Sequence, residues 1–297
     1  MNGTLDSRAN LIGKTAVVIG GGKGIGAASA LALAEAGVDL VIGDVDGEAL
    51  DDIAVQVRAL GRTVNSAEVD VVDPASLEAF YAFVEEKADR LDIVLNVPGG
   101  TRRVDFLEGT SASARRDIRL NYEYVVESVR VAARIMRRME SSGSIINFTT
   151  IEAHRGAATY SVYAGAKAAT TNFTRAVAVE LGKYGIRINC IAPDTTETPG
   201  SKNGLQSNAR GAMDALSPET QLAGFKMYIP MKQRPPAEAI GNAVLFLASD
   251  LAAFVTGTTL HVDGGTMAAS GFLDWPFGDG HLCVPLGGTL SRMYPDG

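Results

Sequence analysis

Short apolar runs alternating with helical segments predict an α/β chain: a doubly wound parallel β-sheet with helices on both faces, in a single domain. Two further observations support that class. The first apolar run ends in a glycine-rich turn that opens a helix. The composition, 46% hydrophobic with 33 glycines among 297 residues, suits a loop-punctuated core rather than disorder.

Residues 15–20, Thr-Ala-Val-Val-Ile-Gly, are a short β-branched run closed by glycine, as a strand buried on both faces requires. Gly20-Gly21-Gly22-Lys23-Gly24-Ile25-Gly26 follows, then an Ala/Leu-rich helix to about Ala36. A second strand spans 39–44, and the helix over 46–60 sets Leu50, Ile53, Val57 and Leu60 on one stripe. Residues 63–70 make a third strand, and Pro74 starts a helix that turns Leu77, Phe80 and Val84 inward. The fourth strand, 91–97, stops at Pro98-Gly99-Gly100. One long helical region covers 110–139, and Ser141-Ser142-Gly143 separates it from the fifth strand at 144–150. A helix over 160–184, a sixth strand at 186–192, a helix at 237–249 and a seventh strand at 258–263 complete the alternation. No repeat or linker divides residues 1–269. Within them, 194–233 is rich in Thr, Ser, Asn, Gly and Pro and reads as a mobile lid over the site. Residues 270–297 form an irregular C-terminal extension, whose Phe272, Trp275, Phe277 and Leu282 are expected to pack on another subunit or over a substrate entrance.

A net charge of −7 and a pI near 5.1 argue against nucleic acid or an anionic membrane as partner. Residues 1–14 lack the apolar core of a signal peptide, and no run of about 18 apolar residues occurs, so a cytoplasmic protein is expected. Cys190 and Cys283 are far apart and imply no disulfide. His154, His261 and His281 show no ligand spacing, so no metal is expected.

Tyr163 and Lys167 stand one turn apart on the same face of the 160–184 helix. A free phenol titrates near ~10 and is a poor base; lowering it by about 3 units takes roughly 4 kcal/mol. An ammonium ~4 Å away at an effective dielectric of ~20 supplies roughly that amount. Such a pair also arises by accident on Ala-rich helices, so the surrounding motifs decide. Glycines in the first turn let backbone amides approach a pyrophosphate at a helix N-terminus, which nominates Gly20, Gly22, Lys23, Gly24, Ile25 and Gly26. Asp44 closes the second strand, where a carboxylate accepts from an adenosine ribose and repels a 2′-phosphate. Lys23 argues the other way, but Asp44 is the more direct determinant, so NAD is the expected cofactor and NADP the second choice. Asp70, ending the third strand, is placed to cap an adenine.

The glycine turn, Asp44, Asp70, Asn96 and Tyr163/Lys167, in that order, closely resemble the short-chain dehydrogenase/reductase family over about residues 10–267. The resemblance implies a single Rossmann domain and hydride exchange between a nicotinamide and a secondary alcohol or ketone. It places Gly20, Gly24 and Gly26 on the family's phosphate turn, with Ile19 where a threonine is usual. Asp70-Val71 falls on the adenine-contacting pair. Asn96-Val97-Pro98-Gly99 falls on the family's Asn-Asn-Ala-Gly, keeping Asn96 and Gly99 as cofactor contacts. Asn121 matches the asparagine that holds a proton-relay water near the lysine. Arg187 to Pro193 matches the strand beside the nicotinamide, with Asp194 where glycine is expected. Thr196 and Thr198 match a backbone and a side-chain contact to the carboxamide, and Asp263-Gly264-Gly265 the end of strand seven.

The family's catalytic serine is the informative deviation. Thirteen positions before Tyr163 stands Thr150, next to Thr149. Strand side chains alternate faces, so only one of the two points into the site, and Thr150 takes the serine's role. Its β-methyl narrows the rotamers and alters substrate shape or rate. Thr150 and Tyr163 are expected to bond the substrate oxygen, Lys167 to lower the tyrosine's pKa and hold the nicotinamide ribose, and Asn121 to pass the proton on through water.

Candidate pocket walls are 101–104, 151–155 and the lid. The lid's Leu205, Met213, Leu216, Leu222, Phe225 and Met227 suggest an apolar alicyclic, terpenoid or steroid-like substrate, or simply pack the lid. Arg102 and Arg103 either meet an anionic group or are solvated loop charges. The family implies a homotetramer, or a homodimer, pairing helices 110–139 and 160–184. The competing readings are an NADPH-preferring carbonyl or 3-oxoacyl reductase and, in a different class, an NAD-binding regulator with little turnover.

Overall fold

Strand β1 (Thr15–Ile19) shows how the core is organised. Ala16 and Val18 join one apolar cluster and Val17 and Ile19 the other, as the two-residue period of a strand demands. All four are fully buried. A strand apolar on both faces needs cover on both, and its neighbours supply it. The computed structural model describes residues 4–101, 103–198, 211, 214–274 and 281–283.

The other strands of the main sheet are β2 (Asp39–Asp44), β3 (Val64–Glu68), β4 (Ile93–Asn96), β5 (Ser144–Phe148), β6 (Arg187–Pro193) and β7 (Thr259–Val262). They lie in the order β3-β2-β1-β4-β5-β6-β7, every pair parallel. This is the doubly wound order, in which the chain runs outward in both directions from β1 and leaves a crevice beyond the strands' carboxyl ends. Helix α1 (Leu5–Ala9) precedes the sheet. Helices α2 (Gly24–Glu35), α3 (Gly47–Ala59) and, late in the chain, Ala237–Ala248 cover one face, and α4 (Pro74–Lys87) packs on the other. Helix α3 is capped by Asp46, which accepts from the Ala49 amide, and α4 by Asp73, with Pro74 in the first turn.

The region expected as one long helix is two. Helix α5 (Ser111–Ile118) and α6 (Tyr124–Arg138) are joined by a π-helical turn, Arg119–Glu123. That turn holds one residue more than α geometry and rotates Asn121 into the interior, where it is completely buried. Helix α7 (Ser161–Leu181) follows β5, α8 (Pro218–Tyr228) lies in the region read as a lid, and Ala237–Ala248 is α9. A short α10 (Thr266–Ala269) follows β7. The start of the extension is more regular than expected: β8 (Phe272–Asp274) pairs antiparallel with β9 (His281–Cys283). Phe272 shares a hollow with Met227 and Tyr228 at the end of α8. Trp275, Phe277, Leu205, Met213 and Arg102 lie outside the described residues. No described helix is long and apolar enough to cross a membrane.

Candidate active site

The nominated residues gather at the carboxyl ends of the strands. Gly20 turns the chain at the end of β1 with φ 76°, in the left-handed region that a side chain would strain. The Gly22 amide donates to Asp44 Oδ2 at 2.9 Å, and the Asp46 amide to Asp44 Oδ1 at 3.2 Å, so Asp44 shapes the turn it faces. Helix α2 begins at Lys23 with no side-chain cap, which leaves its first amides and positive dipole end for an anion. Lys23 itself pairs with Asp46, a partner the sequence reading did not foresee. Thr198 sits over Gly24, and Thr196 is buried with a hydroxyl that has no hydrogen-bond partner among the described residues. A glycine cradle, an uncapped helix and an orphaned hydroxyl fit a dinucleotide. Asp70 accepts from the Val72 amide at 2.9 Å and so shapes its own turn, with Val71 buried beside it.

Asn96 departs from its expected use. Its amide donates to Asn147 Oδ1 at 2.8 Å and its carbonyl oxygen accepts from Ser128. Tyr81 and Ser128 on one side, and Asn147, Thr174 and Cys190 on the other, extend this into a buried polar chain. The Asn96 side chain is therefore spent on holding β4 to β5, and every polar atom in the row has a partner. Pro98, where the family has alanine, packs on Gly20, and Tyr124 donates to the Pro98 carbonyl at 2.8 Å.

Gly99 marks where three elements meet. A β-carbon built on it would lie 2.6 Å from Lys167 Nζ and 2.9 Å from Asn121 Oδ1. Asn121 donates to the carbonyls of Gly100 and Asp117 and accepts from the Gly100 amide, so the asparagine clamps the β4 loop to α5. Its own carbonyl accepts from Thr170 at 2.8 Å.

The Lys167 ammonium is engaged at the end of β5. The residue is 2% exposed, and its Nζ donates to the Phe148 carbonyl at 2.7 Å. Burial draws it down to about 8 from 10.5. The Tyr163 phenol is pushed up, not down: burial dominates, Thr150 opposes it, and Glu152, Tyr160 and Asp194 add to it. The lysine chain is long enough to reach back to the end of β5, and that carbonyl claims it.

The lysine's burial has a measurable consequence. Below about pH 8 the group is charged in both folded and unfolded chains and the cost of burying it is complete. Between about 8 and 10.5 the unfolded chain binds the proton and the folded chain does not, so stability rises with pH across that window. Thermal melts from pH 7 to 10 should show wild type gaining on Lys167→Met by up to roughly 3 kcal/mol. A constant difference would mean that the ammonium is solvated.

Thr149 and Thr150 separate as strand geometry requires. Thr149 bonds sideways to the Ile191 carbonyl of β6, whereas Thr150 lies toward the Tyr163 phenol and draws its pKa down against the effect of burial. Thr150 also donates to Glu152, which accepts from Arg155 at 2.9 Å; Arg155 in turn donates to Tyr228 of α8 at 2.6 Å. Asp194 joins Tyr228 from the end of β6, raised by its burial. None of Glu152, Arg155 or Tyr228 was singled out from sequence as a chemical group. Beside Tyr163 opens a cleft of about 780 Å³ lined by Val104, Phe106, Ala114, Tyr160 and Val162 among others. Arg103 stacks on the Tyr160 ring at 4.9 Å and donates to its hydroxyl. His154 lies against His261, ring centres 4.7 Å apart, and its pKa is lowered by burial. Among the described residues no group of three or more His, Cys, Asp or Glu is arranged for a metal.

With this geometry in place the comparisons are specific. Residues 20–267 match the family model described as enoyl-(acyl carrier protein) reductase. The chain belongs to the short-chain dehydrogenase/reductase family. This short-chain dehydrogenase is 32% identical over 272 residues to levodione reductase of Leifsonia aquatica, covering 91% of this chain and 100% of that one. It is 37% identical over 256 residues to cis-4-hydroxycyclohexanecarboxylate dehydrogenase of Sinomonas cyclohexanicum, covering 86% and 97% respectively. Among solved structures it superposes with TM-score 0.79 and 28% identity on 7α-hydroxysteroid dehydrogenase complexed with NADH and 7-oxo glycochenodeoxycholic acid, over 89% of this chain and 98% of that one. The chain is an oxidoreductase of this family acting on CH–OH groups.

Proposed function

We propose that the chain interconverts a cyclic, largely apolar secondary alcohol and its ketone with NAD, using Tyr163, Thr150, Lys167 and Asn121. The observation that carries the reading is the meeting of Tyr163 and Thr150 beside a cleft with apolar walls, at the end of the sheet where Gly99, Lys167 and Asn121 converge. The relatives named for levodione, a hydroxycyclohexanecarboxylate and a hydroxysteroid agree with an alicyclic substrate.

A nicotinamide bound in the glycine cradle would supply or accept the hydride. Gly20 to Gly26 would hold its phosphates, Asp44, Asp70 and Val71 its adenosine end, and Gly99, Pro193, Thr196 and Thr198 its other end. Asn96 would contribute through its backbone alone. Tyr163 as the phenol gives its proton to a ketone oxygen when the alcohol forms, and as the phenolate takes the hydroxyl proton when the alcohol is oxidised. Thr150 orients the same oxygen. Lys167 would bond the ribose of a bound nicotinamide and exchange protons near neutral pH, with Asn121 next in line. Assembly as a homotetramer, or a homodimer, belongs to the same proposal and is supported by Val179 of α7 and Phe254, large apolar side chains left exposed.

The test is formation of NADH, followed by absorbance, over a panel of cyclic secondary alcohols that includes cis-4-hydroxycyclohexanecarboxylate. Inactivity across the panel with both NAD and NADP would overturn the reading. The preference for NAD rests on Asp44 and on Lys23, whose charge Asp46 already engages. Asp44→Ala is expected to raise the NADP-to-NAD ratio of kcat/KM by about tenfold, equivalent to roughly 1.4 kcal/mol of relieved repulsion. An unchanged ratio in the same assay would remove Asp44 from cofactor choice.

A further inference from the structure

Among the described residues three buried side-chain atoms have no hydrogen-bond partner: His154 Nε2, Asp194 Oδ2 and Thr196 Oγ1. All three stand at the sheet's carboxyl edge, one in the turn after β5 and two in the segment that leaves β6. Buried polar groups are almost always paired, so each of these needs a reason. His154 lies against the His261 ring, and Thr196 belongs to the dinucleotide cradle described above. Asp194 has no such account. Glycine is the expected residue there, and it carries no side-chain acceptor.

The segment is built to hold its side chains in place. Thr195 adopts φ 43°, the left-handed region that a threonine enters only under constraint. Arg234 supplies the constraint, donating to the Thr195 carbonyl at 2.9 Å and to the Thr196 carbonyl at 3.0 Å. The other arginine at this edge is committed as well, since Arg155 Nη2 donates to Glu152 at 2.9 Å and to Tyr228 at 2.6 Å. An ionised carboxylate oxygen can only accept, and neither guanidinium gives Asp194 Oδ2 a hydrogen.

Register places that oxygen beside the reaction. Phe148 of β5 pairs with Ile191 of β6, and the Thr149 amide still donates to the Ile191 carbonyl. Continued two residues, this pairing sets Thr150 opposite Pro193, with Asp194 next along the chain. Adjacent strands lie about 4.8 Å apart. A group bonded to Asp194 is thus one or two ring carbons from an oxygen that Thr150 orients. Thr198, farther on, turns to Gly24 and the cofactor.

We propose that Asp194 selects a diol: the substrate carries a second hydroxyl, one or two carbons from its reacting carbinol, that donates to Asp194 Oδ2. This rests on the alcohol/ketone reading above and narrows it. The carbinol gives its hydride to the nicotinamide and its proton to the Tyr163 phenolate, while the second hydroxyl keeps its proton. Asp194 therefore sets specificity and takes no part in proton transfer. A cyclic alcohol without that hydroxyl covers the carboxylate with carbon and leaves it unpaired. Sites that bury a polar group for a substrate hydroxyl discriminate strongly against the analogue lacking it. The cleft beside Tyr163 receives the rest of the ring.

The test compares NAD reduction by the full chain with cyclohexanol and with 1,2-, 1,3- and 1,4-cyclohexanediol. Wild type should favour the 1,2- or 1,3-diol over cyclohexanol by about tenfold or more in kcat/KM, and the 1,4-diol should behave as cyclohexanol does. Asp194→Ala and Asp194→Gly should abolish the preference. Asp194→Asn, which keeps one carbonyl acceptor, should hold part of it. The ratio is the readout because the Asp194 charge also raises the Tyr163 pKa and so acts on every alcohol alike. Thermal melts check that the variants fold, and NADH affinity by fluorescence titration should not move. A fall in NADH affinity with the diol preference intact would assign the oxygen to the nicotinamide carboxamide and overturn the proposal. A wild type indifferent between cyclohexanol and the diols, or a preference that survives Asp194→Ala, overturns it too and leaves the oxidoreductase reading standing. No turnover of any alcohol with NAD or NADP overturns both.

Discussion

Replacing Tyr163 with phenylalanine is expected to lower kcat by about 10²–10⁴-fold, the usual share of a positioned acid or base. Cofactor affinity should stay nearly unchanged, because the amides of the glycine turn and the uncapped start of α2 lie at the end of β1 and do not use the phenol. The substitution removes one oxygen from a ring that packs 5.9 Å from Tyr160, so the ring contact survives. Thr150 beside it keeps Glu152 as acceptor. The fold should therefore tolerate the change, with any loss in melting temperature small. Stopped-flow turnover with NAD and fluorescence titration with NADH separate the two effects. A variant that still turns over near the wild-type rate would show that the proton passes through another group.

The sheet was readable because strands buried on both faces carry a signal that little else produces. β-Branched runs such as Val17-Val18-Ile19 and Ile145-Ile146 leave few alternatives. Strand ends were less readable. The third, fourth and fifth strands stop at Glu68, Asn96 and Phe148, short of the expected boundaries, although the next amides, of Val69, Val97 and Thr149, still donate to carbonyls of the neighbouring strands. The π turn at Asn121 was not readable, since one extra residue in a helix leaves no periodicity of its own.

The candidate site divides in the same way. Asp44 and Pro193 end β2 and β6, and Gly99 and Thr150 follow β4 and β5, so all four stand at the sheet's carboxyl edge. What sequence spacing could not supply is where long side chains go. Lys167 and Tyr163 share a helical face, yet the ammonium reaches the Phe148 carbonyl. Lys23 finds Asp46, and Arg155 finds Tyr228, 73 residues away. Each of these is a competition between acceptors, decided by three-dimensional proximity and burial. The sign of the Tyr163 shift follows from that competition: with the lysine engaged elsewhere, desolvation is the largest effect left.

The other large effect lies in the cofactor turn. Gly26 follows the start of α2, and a β-carbon built there would lie 1.8 Å from the Gly20 carbonyl oxygen and 2.8 Å from its carbon. Both are backbone atoms, so no rotamer change relieves the clash. Gly26→Ala must push the β1–α2 turn apart, and overpacking of this kind costs about 1–3 kcal/mol or more. The Gly22 amide that bonds Asp44 moves with it, so NADH affinity and melting temperature should fall together. Gly182→Ala is the matched control: its β-carbon meets nothing within 4 Å, and its backbone, φ −54° and ψ −37°, already suits alanine. That variant should be neutral or gain about 0.4–1 kcal/mol from a less flexible unfolded chain, with NADH binding untouched. Differential scanning calorimetry and NADH titration of the two variants distinguish a close approach of backbone from a general aversion to losing glycine. If Gly26→Ala melts and binds like wild type, the turn has room that a 1.8 Å contact denies, and the cradle assigned to the pyrophosphate is wider than the fold requires.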